Sequence, residues 1–458
     1  MACCPAKQHS QSIGMASAAR NLPASNGHLR RRRRNVAASF LVIICLAALA
    51  LQSAKRVRLS DIRIHADNGT NSDGTEQLGT DENTIDSSDH SDRCVSKYPW
   101  ISSALDKFFE PSIEMAIKLK LNQTNEEAIE KMANITWIDG YHPGHDVVTL
   151  EYDATTGGYA MTAVPRFPAN QEYKRQCILQ PLQAAINLHG RALADKFDRQ
   201  KIKFVLCTED FGMIWRRSGI KLPAFAMCTD EGHVDIPVPD FTYGCYPETH
   251  YTNSSWSAIA DMLSTKSTMI PWKMRESSIF FRGNWGVGPR QGLMPFLSEL
   301  SANGSDVELL GASLDIADSG FIVSKKENFV WLDDQCTHKV AIHTAGFSYS
   351  AALKYKLACG ALVLKFDSVY KEFYEPGLID GVHVISLPAE EKGVDVVDFI
   401  TNSAPKIREA VSKAVSEESM PAVAAAGKAF AMNQLSSEAL SCYWFQALVR
   451  YGQIYFST

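Results

Sequence analysis

Hydrophobic and polar positions divide this chain into a non-globular start and a long patterned remainder. Residues 1–35 are small and polar without a hydrophobic period, and end in the basic run Arg30–Arg34. Val36–Ala54 follows, nineteen residues without a charge, about enough to cross the roughly 30 Å apolar layer of a bilayer. Residues 55–93 hold hardly any apolar side chain after the basic Lys55, Arg56 and Arg58, and read as a flexible stem. Beyond Cys94 short apolar runs alternate with helical periods. Strands are expected at Val147–Tyr152, Lys203–Cys207, Ala224–Cys228, Ser278–Phe281, Val340–His343, Ala361–Lys365 and His383–Ser386. Helices are expected at Ile178–Phe197, Asn253–Ser264, Gly292–Leu300, Ser350–Ala358, Val394–Ile400, Ala404–Val415 and Met420–Asn433. Such alternation predicts an α/β architecture with parallel sheets. The least patterned join, Ser264–Pro271, is the expected boundary between two lobes, residues 94–268 and 269–435, with a C-terminal segment 436–458.

The length of the apolar run, its position and the basic residues after it predict an uncleaved anchor at 36–54 rather than a cleaved signal peptide. The denser arginines before it predict a cytosolic tail at 1–35 with everything beyond the anchor lumenal. A net charge of −5 gives no reason to expect a nucleic-acid partner. Lumenal topology predicts oxidised cysteines. Eight lie beyond the apolar run (Cys94, Cys177, Cys207, Cys228, Cys245, Cys336, Cys359 and Cys442), an even number that permits full pairing without fixing the connectivity. Glycosylation sequons stand at Asn68, Asn122, Asn134, Asn253 and Asn303.

The segment Pro271–Arg290 carries the first chemical signal. An apolar strand, Ser278–Phe281, runs into Arg282-Gly283, a loop with Gly286 and Gly288, and then Arg290. Glycine permits close backbone approach, and arginine offers a planar, permanently charged fork, so this end suits a phosphorylated ligand. About sixty residues later Gly346–Gly360 reads as a glycine turn, Ser348 and Ser350 at a helix start, and Lys354 one turn on. A helix start offers unpaired N–H groups to an anion, although an ordinary structural cap fits the same pattern. Glu372, beyond the strand that follows, suits a ribose hydroxyl, and a solvated glutamate fits equally well. His142 and His145 are too few to hold a metal, and their loop is read as acceptor-side or structural.

Together these segments resemble glycosyltransferase family 90, the CAP10-like group of Rumi-type protein O-glucosyltransferases. The matching landmarks are Pro271-Trp-Lys273, Phe281-Arg-Gly283, Gly346–Ser350, Cys359-Gly360, Glu372-Phe-Tyr374 with Leu378 and His383, and Cys442-Tyr-Trp444, in order over about Lys203–Phe456. The resemblance implies a GT-B fold of two Rossmann-like lobes with a cleft between them. It implies an inverting, metal-independent transfer from a UDP-sugar, glucose or xylose, to a protein or polysaccharide hydroxyl, with no cofactor. The chain contains no Asp-x-Asp, the usual metal-chelating pattern of the other major glycosyltransferase fold.

By the same resemblance Asp210 is the general base, with Glu209 beside it as runner-up; a solvated acidic pair fits both. Arg282, Gly283, Arg290, Gly346, Ser348, Ser350, Lys354 and Glu372 are the donor-binding candidates, and Trp215 or Trp285 is a candidate sugar platform. Cys336–Cys359 and Cys94–Cys442 are the implied disulfides. One departure stands out: Ala352 occupies a position where the family commonly carries arginine, and Lys354 is the nearby basic residue that would compensate. That departure keeps open an alternative, a catalytically silent glycan-binding or scaffolding relative. The anchor and the absence of a C-terminal retrieval motif point to a Golgi membrane, or the endoplasmic reticulum, with the catalytic part in the lumen.

Overall fold

A computed structural model describes residues 93–136, 143–167, 172–246, 254–321, 324–388 and 396–457. The tail, the apolar run 36–54, the stem, His142 and the sequons at Asn68 and Asn253 lie outside the described residues. No helix among the described residues is long and apolar enough to cross a membrane.

The first half builds a five-stranded sheet in the order β2-β1-β3-β4-β5 from β1 (His145–Asp153), β2 (Gly158–Phe167), β3 (Ile202–Cys207), β4 (Phe225–Ala226) and β5 (Ile236–Pro237). It is not the wholly parallel sheet expected. β1 pairs antiparallel with both β2 and β3, and only β3-β4-β5 run parallel. Helices α1 (Pro99–Lys118), α2 (Asn125–Ala133) and α3 (Glu172–Lys196) pack on it, and α4 (Trp256–Met269) follows. The strand period of two divides the faces. Asp146 faces α3 and meets Arg175 at 2.7 Å, while Val147 and Thr149 line a cavity under α2.

The second half is parallel throughout. β6 (Glu276–Gly283), β7 (Leu314–Asp318), β8 (His338–His343), β9 (Leu362–Phe366) and β10 (Ile385–Leu387) lie in the order β10-β9-β8-β6-β7. Numbered within the lobe, that is the doubly wound order 2-1-3-4-5, which reverses direction between β6 and β8. Helices α5 (Arg290–Ala302), α6 (Asp306–Leu310), α7 (Leu353–Ala358), α8 (Val396–Ser416) and α9 (Ala422–Ala429) complete it. Two expected helices, Val394–Ile400 and Ala404–Val415, are one: α8 carries Pro405 in its interior without breaking. The helix expected from Ser350 begins only at Leu353, with Ala352 at its N-cap, so Ser348 and Ser350 belong to the loop before it.

The last helix, α10 (Ser437–Phe456), returns to the first sheet. Trp444 packs edge-on against Phe225, Tyr443 donates to the Pro237 carbonyl at 2.6 Å, and Tyr451 donates to that of Lys203 at 3.0 Å. Disulfides join Cys94 to Cys442 and Cys336 to Cys359, the two implied pairs, and a third joins Cys177 to Cys245. Pairing is not complete, because Cys207 and Cys228 are buried free thiols. Residues 82–458 cluster as one unit. A bridge between Thr229 and Lys371 and the Tyr349 hydroxyl on the Met227 sulfur, at 3.6 Å, tie the two sheets together.

Candidate active site

Two loops leave the carboxyl ends of β6 and β8, on either side of the point where strand order reverses. In doubly wound sheets this is where ligands bind. The first loop, Gly283–Arg290, is held against the second, Thr344–Ser350, by close backbone approach. Gly288 has φ +50°, and a β-carbon there would lie 1.9 Å from the Gly346 carbonyl oxygen. Only glycine meets both conditions.

Arg290 opens α5 and bridges the loops. Its Nη2 donates to the Thr344 carbonyl at 3.2 Å and to Ser350 Oγ at 3.0 Å, and Nη1 donates to Asn284 O at 3.4 Å. Its guanidinium lies 5.4 Å from the centre of the Phe281 ring and would touch any β-carbon on Gly283. No carboxylate pairs with it among the described residues, and its Nε has no partner. Burial pulls its pKa down to about 10. A desolvated cation among neutral oxygens is costly unless an anion completes the site.

Arg282 goes elsewhere. On β6 the residues 278, 280 and 282 share one face, opposite Phe281. There Arg282 stacks on Phe280 and pairs with Asp315 at 2.6 Å, so the structure does not bring it to Arg290. Lys354 is also committed. It is fully buried and donates to Thr242 Oγ1, 3.6 Å from Asp240 and 4.3 Å from the Tyr243 ring centre. It braces α7 against the first lobe rather than facing the Arg290 loops. Glu372 joins that same buried cluster. Burial, then Asp240, hold its carboxyl well above the usual range, and Tyr374 donates to it at 3.2 Å.

Asp210 follows β3 on the first lobe and pairs through both oxygens with Lys174 of α3, at 2.9 and 3.0 Å. Its carboxylate remains about one third exposed (32%). Glu209 is half-buried beside it. The backbone here is held from below. Cys228 Sγ donates to Asp210 O at 3.2 Å, Cys207 Sγ donates to Phe211 O at 3.4 Å, and Asp235 accepts from Met213 and Ile214 N–H at 2.9 Å each. The Thr344–Ser350 loop reaches this segment too. Phe347 meets Phe211 with ring centres 4.9 Å apart. One loop of the second lobe therefore touches the Asp210 segment with Phe347 and the Arg290 fork with Thr344 and Ser350.

Trp215 packs on His233 and stays 39% exposed, and Trp285, half-buried, packs against the second-lobe core. His145 is buried with both ring nitrogens at carbonyls, Pro143 at 2.7 Å and Ala133 at 3.1 Å, which makes it structural. Asn122, Asn134 and Asn303 are exposed. Sequence reasoning missed Lys174 and Lys356. Each is a charged residue at a position that helical periodicity marks as buried, and that was the available signal.

The family profile of glycosyl transferase family 90 matches residues 199–457, more than half of the chain, including β3, both loops and α10. The chain belongs to glycosyl transferase family 90. Among curated members, protein O-glucosyltransferase 1 of Bos taurus is 22% identical over 258 residues, 55% of this chain and 62% of that protein. O-glucosyltransferase rumi of Drosophila melanogaster is 22% identical over 239 residues, 51% of this chain and 55% of that protein. The match thus spans less than two thirds of these relatives. The matched residues include Asp210, both glycine loops and Arg290, while Lys174 lies before them.

Proposed function

We propose that this protein is an inverting, metal-independent glycosyltransferase of GT-B architecture, moving a sugar, glucose or xylose, from a UDP-sugar to a hydroxyl of a protein or polysaccharide. The observation that carries this reading is Arg290: a half-buried guanidinium with a buried, unpartnered Nε and no carboxylate among the described residues, between two glycine loops at the switch point of a doubly wound sheet. A diphosphate supplies the missing anion and matches the fork geometry. Gly283, Gly346 and Ser350 line the same approach.

The acceptor hydroxyl attacks the anomeric carbon and gives its proton to an Asp210 oxygen. A bond forms from acceptor oxygen to that carbon as the bond to the UDP oxygen breaks, and UDP leaves with the electron pair. Lys174 orients the carboxylate, and Arg290 stabilises the charge that develops on the diphosphate. The similarity to protein O-glucosyltransferase 1 and O-glucosyltransferase rumi supports this chemistry. The three disulfides and three exposed sequons support a lumenal setting, with residues 36–54 as a type II anchor in the Golgi or endoplasmic reticulum.

The test is a panel of UDP-sugars offered to the full-length chain in EDTA, beside Asp210→Asn. One sugar is expected to turn over, with the variant slower by roughly 10²- to 10⁴-fold while still binding UDP. Turnover that needs an added divalent ion, or survives in the variant, would sink the mechanism. UDP binding without turnover of any donor would favour the silent relative that Ala352 keeps open.

A further inference from the structure

Helix α7 is buried along its whole length, yet it carries two lysines. Lys354 has Asp240; Lys356 has no carboxylate among the described residues. Among these its ammonium donates only to the Ile342 carbonyl, at 2.6 Å, and lies 5.2 Å from the centre of the Phe281 ring, the ring that also carries Arg290. The two cations hold alternate carbonyls of one strand end, Ile342 for Lys356 and Thr344 for Arg290. Alternate residues of a strand are roughly 6.6 Å apart. Between them stands His343, buried, with its Nδ1 unpartnered. The neighbouring Lys365 is different, because Asp367 and Glu375 both pair with it at 2.9 Å.

We propose that Lys356 is a second phosphate-facing cation of this site, forming with Arg290 a two-cation cradle for the donor diphosphate at the carboxyl ends of β6 and β8. The proposal rests on the donor-site reading above and adds a residue to it. The Lys356 N–H bonds the Ala352 carbonyl, so this lysine stands one helical turn below that alanine.

Proton linkage follows. The groups facing Lys356 are Arg290 from α5, His343 from β8 and the apolar Phe281 from β6; the last causes no titration, and Tyr246 stands beyond Arg290. Burial first, and Arg290 second, lower the Lys356 ammonium to about 7. The empty cradle therefore tends to shed this proton above neutrality, and an arriving anion returns it.

UDP is the probe, titrated calorimetrically into the full-length chain from pH 7 to pH 9 in two buffers of different ionisation heat. This window lies above the titration of the nucleotide's own terminal phosphate, near pH 6. Wild-type affinity is expected to fall about tenfold from pH 7 to 8.5, with a buffer-dependent heat that reports proton uptake. Lys356→Met should bind about tenfold more weakly at pH 7, show neither effect, and melt no lower than wild type. If that variant does not fold, the wild-type heats alone decide. Equal binding by wild type and variant, flat in pH, overturns the cradle and leaves the donor site standing. Failure of wild type to bind UDP at any pH overturns the donor site and the cradle with it.

Discussion

Single side chains in this protein differ most in what answers their charge. Among the described residues Arg290 and Lys356 have only neutral partners, whereas Lys354, buried like Lys356, has Asp240. Asp235 is the acidic counterpart. It is 1% exposed and holds the chain just beyond Asp210 by accepting two backbone N–H groups. Burial raises its carboxyl to about 6 despite those bonds. Because the folded value lies above the unfolded one, the folded state binds the extra proton between about pH 4 and 6. Stability is therefore greatest below that window and falls as pH rises through it. Two units correspond to roughly 3 kcal/mol at most. Denaturant melts of wild type and Asp235→Asn between pH 4 and 7 should differ in slope by up to that amount, the variant lacking the loss. Parallel curves would show that the carboxyl titrates normally.

Elements carry the site through backbone proximity. Replacing Gly288 by alanine demands a positive φ and drives a methyl into the Gly346 carbonyl. The two loops must then part, at a cost of about 1–3 kcal/mol. UDP affinity is expected to drop at least tenfold, read by the same titration, and unchanged affinity would show that loop contact does not build the site. The glycines and Arg290 were visible in sequence because turn chemistry is local. β2 was not: Pro165 argues against a strand, and it is tolerated because β2 is the sheet edge, where a missing N–H costs nothing. α1, with Pro99 and an internal Pro111, hid for a similar reason. Strand direction in the first sheet depends on a hairpin that the sequence pattern did not reveal. The placements of Arg282 and Lys354 were equally hidden, since their partners Asp315 and Asp240 are distant in sequence.

At the scale of the whole molecule, strand order makes a doubly wound parallel lobe after residue 271, inside the family match, while the preceding lobe is mixed in direction. That first lobe is finished by the chain's end, since α10 covers its sheet and Cys442 bonds Cys94. Replacing both cysteines by serine should cost about 2–5 kcal/mol. A denaturant melt followed by Trp fluorescence measures the loss, and no loss would show that the helix is held by packing alone. The separation of this pair also sets an order of events in the cell. Cys94 enters the growing chain 348 residues before its partner. At about 5–20 residues per second, that wait lasts roughly 20 to 70 s. For that time the first lobe lacks its closing helix while the second is still being made. A ribosome that stops short of α10 releases a chain whose first sheet lacks its covering helix and whose Cys94 lacks its partner.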